Sequence, residues 1–252
     1  GTNKPADKNR YRLLDLVDPD EEFSVGVWLH EALAVLAECH ESGQGCIVVG
    51  GTGLYVRALF EEYAEIGPPP DPATRERVRA LEPREAVEEL RRLDPAARLD
   101  WSNPVRVKRA LERRLAPGQA IKVQLPPFRK LKTALDPPLD VLEPRIASRI
   151  DWMLDHGWPE EALALAEAGI GPEDPGMRAI GYQYVMEFAR GDSPRSATVD
   201  AVFRDTRQYT KRQKTWLRTE PSLVHVDSAL DEDDLQALLA RLVNFVYGQE
   251  PD

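Results

Sequence analysis

Cys46-Ile47-Val48-Val49-Gly50-Gly51-Thr52-Gly53 sets an unbroken apolar run against a glycine tract, and a helical pattern (Leu54, Tyr55, Ala58, Leu59) begins directly after it. An apolar run of this length suits a buried parallel strand, and strand, glycine turn, helix is the α/β signature. Glycines there let the backbone approach a ligand closely. N–H groups at a helix start bind anions, and the Thr52 hydroxyl can donate to a phosphate oxygen. No Gly-Lys-Ser/Thr follows, so the tract is not a Walker A loop. Taken by itself, it reads as a tight strand-to-helix turn.

Upstream, Leu13 to Val17 reads as a short strand closed by Asp18-Pro19-Asp20. Ser24 can cap a helix running to about Glu41, with Gly43 as the stop. Downstream, Gly67-Pro68-Pro69-Pro70-Asp71-Pro72 is a stiff break. Helices are expected over about 73–81, 83–93 and 103–115, with interruptions at Pro117-Gly118 and Pro126-Pro127. Phe128 to Leu135 reads as a strand, Glu143 to Ala168 as helical, and Met177 to Arg190 and Val199 to Arg218 as two more helices. Ser222 to Val226 is the last expected strand and Asp231 to Tyr247 the last helix. The fold class is α/β, a parallel-sheet core (1–74 and 124–252) interrupted by a helical insertion (75–123).

The chain has 252 residues, 42% of them hydrophobic, enough for a real core. Its longest apolar run, Ala32 to Ala37, is far short of the ~18 residues of a membrane span. Cys39 and Cys46 are the only two cysteines, which excludes a disulfide scaffold and a multi-thiolate zinc site. These features read as a globular protein of the cytoplasm, with no membrane partner. The net charge of −10 argues by itself against a nucleic-acid partner. The average hides a division, however. Residues 98–132 hold ten cations against Asp100 and Glu112, a net +8, and residues 204–218 hold six against Asp205, a net +5. The remainder then carries −23, much of it in 219–252. Such asymmetry suits a polyanion-facing side, although solvated basic helix faces would produce the same composition.

Within helix 199–218, Arg207, Lys211, Lys214 and Arg218 fall at i, i+4, i+7 and i+11, one narrow stripe of cations. Val202, Tyr209 and Trp216 recur every seven residues on the opposite stripe. Cations at helical spacing without interleaved acids repel one another, and an anionic partner relieves that. Helix 103–115 repeats the design with Arg106, Arg109 and Arg113 beside a buried row of Val107, Leu111 and Leu115. Met177 to Tyr182 puts Arg178 and an aromatic ring four residues apart on one expected helical face. The four histidines show no metal-ligand spacing, no nucleophile signature appears, and no metal-ligating residue is assigned.

These motifs together resemble the tRNA dimethylallyltransferases, also called tRNA isopentenyltransferases. The resemblance rests on Lys4-Pro5, Leu14 to Pro19 with Phe23-Ser24, Val49 to Tyr55, Asp71-Pro72 with Arg75, and Asp94-Pro95 with Ala97-Arg98. Arg109 to Glu112, Met177 to Tyr182, and Thr206 to Tyr209 with Lys211-Arg212-Gln213 and Thr215-Trp216 complete the ordered set. Asn3 and Ser102-Asn103 depart from the usual Ala and Asn-Asp.

The resemblance implies a P-loop-kinase-like core and transfer of a dimethylallyl group from dimethylallyl diphosphate to N6 of the adenine 3′ of the anticodon (position 37) in tRNA. It implies Thr52 at the reacting centre and Arg178 on the diphosphate, with Gly50, Gly51 and Gly53 around it. It places Arg75, Arg106, Lys108, Arg109, Tyr182, Gln183, Arg207, Lys211, Arg212, Lys214, Trp216 and Arg218 against the anticodon stem-loop. Mg²⁺ is the expected cofactor, and a monomer the expected state. The family's P-loop and catalytic Asp would stand ahead of Gly1, so the 252-residue chain alone is expected to be inactive. Two alternatives are prenylation of a free adenine nucleotide and a tRNA-binding scaffold without catalysis; an extended cationic surface argues against the first.

Overall fold

The computed structural model describes residues 11–60, 70–116, 125–226 and 232–247. Lys4-Pro5, Gly67 to Pro69, Pro117-Gly118 and Lys122 lie outside the described residues. The elements run α1 (Val25–Glu41), α2 (Gly53–Phe60), α3 (Pro72–Ala80), α4 (Pro83–Leu93), α5 (Pro104–Leu115), β1 (Lys132–Leu135), α6 (Leu139–Asp155) and α7 (Trp158–Glu167). A 3₁₀ turn (Pro175–Arg178), α8 (Tyr182–Ala189), α9 (Arg195–Leu217), β2 (Leu223–Val226) and α10 (Glu232–Tyr247) follow. The fold is α/β. Among the described residues β1 and β2 pair in parallel, with Lys132 opposite Leu223 and Leu135 opposite Val226. The chain divides into two compact units, one formed by 1–23, 38–56 and 127–252, the other by 24–37 and 57–126.

In the second unit, α3, α4 and α5 close on Val78, Ala86, Leu90, Val107, Ala110 and Leu111. Each helix starts on a polar residue followed by proline, which presets φ at the first helical position. Asp71 accepts from the Thr74 N–H at 2.9 Å. Asn103 Oδ1 accepts from the N–H groups of Val105 (3.1 Å) and Arg106 (3.2 Å), so Asn caps the helix well. Ser24 likewise caps α1, accepting from the Val27 N–H at 3.3 Å.

The larger unit has its core between α6, α7, α8 and α9, built from Ile150, Leu154, Trp158, Ala162, Met177, Val185, Met186 and Val202. The expected continuous helix over 143–168 is two helices, because Gly157 takes φ +97 between them. Likewise, 177–190 is a 3₁₀ turn and then α8, broken at Gly181 with φ +100. A Cβ on Gly181 would stand 2.3 Å from the Trp158 ring, so only glycine fits. Arg178 and Tyr182 therefore do not share a helical face.

Two expected strands are absent among the described residues. Leu13 (φ 64) and Asp15 (φ 53) sit in the left-handed region, which breaks an extended run at 13–17. Cys46 to Val49 pairs with no strand, and Ile47 is 80% and Val49 89% exposed. An apolar run becomes a strand only where a ladder partner takes up its backbone groups.

Candidate anion and RNA site

Three side chains of α9 hold the glycine tract. The Gln213 carboxamide donates to the Gly51 carbonyl at 2.9 Å. Tyr209 Oη lies 3.4 Å from the Thr52 hydroxyl. Trp216 packs so closely on Gly53 that a Cβ there would stand 2.2 Å from its ring. Residues 209, 213 and 216 follow i, i+4, i+7, one face of the helix, so the aromatic stripe expected to bury itself in a core instead grips the tract. Thr52 is exposed, and its carbonyl accepts from the Tyr55 N–H at 3.0 Å, which opens α2.

Arg178 stands on the 3₁₀ turn. The Gly176 N–H donates to the Pro19 carbonyl at 2.7 Å, docking that turn on Asp18-Pro19. Arg178 pairs with Glu22 at 3.6 Å, and its side chain is 56% exposed. The next residue, Phe23, stacks on Tyr55 of α2 at 6.4 Å between ring centroids. The segment Pro19 to Phe23 thus touches both the Arg178 turn and α2, the helix that follows Thr52.

The expected cation stripe is partly neutralised. Arg207 Nε donates to Glu143 at 2.6 Å. Lys214 is held by Asp136 and by the Pro137 carbonyl. Mutual repulsion along the stripe is therefore met by acids of the same chain, which leaves Lys211 and Arg218 as the stripe's cations for an anionic partner. Both are exposed, as is Arg212, whose guanidinium lies 5.7 Å from the Tyr209 ring centroid. Tyr182 donates its hydroxyl to Glu161 at 2.9 Å. Burial first, and Glu161 second, push its phenol up to about 12. Gln183 is exposed.

In the helical unit, Arg75 Nε is buried and has no hydrogen-bond partner among the described residues. Lys108 Nζ donates to the Arg79 carbonyl at 2.8 Å, and Arg109 pairs with Glu112 at 3.5 Å. Arg106 is exposed. Residue-by-residue reading missed Tyr209 and Gln213 as site residues; the signal was their i, i+4 spacing with Trp216.

Among the described residues no group of three or more His, Cys, Asp or Glu side chains could hold a metal ion. Mg²⁺ is commonly held by one or two carboxylates, water and the substrate's own phosphates, so the expected ion needs no such cluster. No described helix is long and apolar enough to cross a membrane.

Comparison with known proteins gives the family of the chain. A tRNA dimethylallyltransferase of Syntrophobacter fumaroxidans is 37% identical over 260 residues, covering 96% of this chain and 75% of that protein. One of Sphingopyxis alaskensis is 39% identical over 226 residues, covering 84% and 72%. The full-length tRNA isopentenylpyrophosphate transferase of Bacillus halodurans has the same fold, with a TM-score of 0.64 at 29% identity over 94% of this chain and 78% of that one. The sequence model described as IPP transferase matches residues 1–220, the glycine tract and its helical clamp included, and this chain belongs to that family.

Proposed function

We propose that this protein transfers a dimethylallyl group from dimethylallyl diphosphate to N6 of the adenine 3′ of the anticodon, position 37, in tRNA, acting as a monomer in the cytoplasm. The observation that carries the reading is the glycine tract held by α9. One helix presents an exposed Thr52 hydroxyl through its inner face and exposed Lys211, Arg212 and Arg218 elsewhere on its surface.

In the reaction the N6 lone pair forms the C–N bond, the allylic C–O bond breaks with its electron pair, and diphosphate leaves. The amine proton is released to solvent. Negative charge grows on the bridging and terminal phosphate oxygens, so donors that meet it there lower the barrier. Thr52 and the neighbouring backbone N–H groups supply donors, and Arg178 supplies a cation that exchanges Glu22 for phosphate. The adenine must leave its stack to reach the allylic carbon, because N6 is not accessible in line within a stacked loop. Arg75, Arg106, Lys108 and Arg109 on the helical unit, and Tyr182, Gln183, Arg207, Lys211, Arg212, Lys214, Trp216 and Arg218 on the larger unit, are the proposed RNA-facing set. Within it Arg207, Lys214 and Trp216 act by holding the surface in place.

The test supplies the full-length protein with labelled dimethylallyl diphosphate and either an anticodon stem-loop bearing A37, the same RNA bearing G37, or free AMP. Label enters only the A37 RNA. Labelled AMP without labelled RNA would replace the reading with free-nucleotide prenylation, and RNA binding without transfer would leave a scaffold. Thr52→Ala should lower kcat while leaving the tRNA Kd within about twofold. A weakened Kd at unchanged kcat would return the tract to a structural turn.

A further inference from the structure

We propose that Gln213 is a positioning residue that fixes the orientation of the Gly51–Thr52 peptide, so that the Thr52 N–H faces the diphosphate. The inference rests on the diphosphate-binding reading of the tract and deepens it.

No described peptide is cis, so the Gly51 carbonyl and the Thr52 N–H lie in one plane and point in opposite directions. Gln213 Nε2 holds that carbonyl at 2.9 Å. The Thr52 N–H must then point away from α9. It makes no hydrogen bond within the described residues, and Thr52 is exposed. A donor fixed in that direction, beside a hydroxyl, is what a phosphate oxygen requires.

Glycine at 51 makes the arrangement both possible and fragile. A Cβ there would stand 2.5 Å from Gln213 Nε2 and 3.3 Å from Tyr209 Oη, so this close approach requires glycine. Gly51 also lets the following peptide tilt over a wider range of ψ than a residue with a Cβ would. Without Gln213 the 51–52 peptide is free to turn and withdraw its N–H. Tyr209 provides the second hold. When its phenol donates to Thr52 Oγ1, the Thr52 hydroxyl hydrogen is left for the ligand, and the two hydrogen bonds strengthen each other. Gln213 reaches the reaction only through the tract and is not itself catalytic.

The experiment uses the full-length protein labelled with ¹⁵N-threonine and titrated with inorganic diphosphate alone. In the wild type the Thr52 amide resonance moves on titration. In Gln213→Leu and Gln213→Glu, neither of which can donate to the Gly51 carbonyl, that movement is lost. The diphosphate Kd rises and kcat falls, each by about tenfold to a hundredfold for a misplaced donor, while the tRNA Kd stays within about twofold. Gly51→Ala, which displaces the carboxamide with Gln213 still present, gives the same pattern and guards against misfolding of any one variant. Wild-type Thr52 shifts and kcat in all three variants would overturn the positioning role and leave the proposed function standing. A silent Thr52 amide in the wild type would overturn both.

Discussion

Tyr182 holds its proton through a buried ring and a hydrogen bond to Glu161, which together push the phenol up to about 12. A folded value above the ordinary ~10 means that the protonated phenol stabilises the fold. That contribution is complete below about pH 10 and is lost as the pH rises from 10 towards 12. Urea melts between pH 8 and 11.5 should therefore lose stability more steeply in the wild type than in Tyr182→Phe, and parallel profiles would refute it. Not every residue reveals its work in the sequence. Thr52 and its glycines were legible as a tight turn, the part given to Thr52 at the reacting centre coming from the family resemblance alone. Lys214 and Arg207 were not, because the carboxylates that hold them lie 78 and 64 positions away in sequence. Gln213 escaped for another reason: a neutral amide leaves no trace in a charge pattern.

Helix α9 has different tasks on different faces. Tyr209, Gln213 and Trp216 hold the glycine tract, Val202 and Thr210 are buried, and Lys211, Arg212 and Arg218 meet solvent. If the solvent-facing cations contact phosphates, Lys211→Ala with Arg218→Ala should flatten the salt dependence of tRNA binding by about one unit per lost contact. Lys214→Ala should instead lower stability, because it removes the ammonium that holds Asp136 and the Pro137 carbonyl. Equal slopes in the double variant and the wild type would remove this face from the interface. Helices were the legible elements here. Asp71-Pro72 and Asn103-Pro104 announce their starts, and a helix satisfies its own backbone. Strands were read less well, since a strand exists only with a neighbour. β1 and β2 found each other, while 13–17 and 46–49 pair with nothing among the described residues.

Across the whole molecule, the contacts that assemble the larger unit join distant parts of the chain. Lys132, at the start of β1, pairs with Glu220 beyond the end of α9 at 2.5 Å, with their side chains 7% and 0% exposed. A buried charge that loses its partner keeps its desolvation cost, so Lys132→Ala or Glu220→Gln should each destabilise by about 3–5 kcal/mol. Replacing both, as Lys132→Met with Glu220→Leu, should restore most of that loss in chemical denaturation. A double variant no better than the singles would assign the cost to shape rather than charge. Gln213 and Gly51 are likewise 162 positions apart. At about 5–20 residues per second, the ribosome delivers the tract about 8–30 s before the side chain that grips it. The tract thus leaves the ribosome well before its clamp, and the protein acquires its working shape only once α9 has been made.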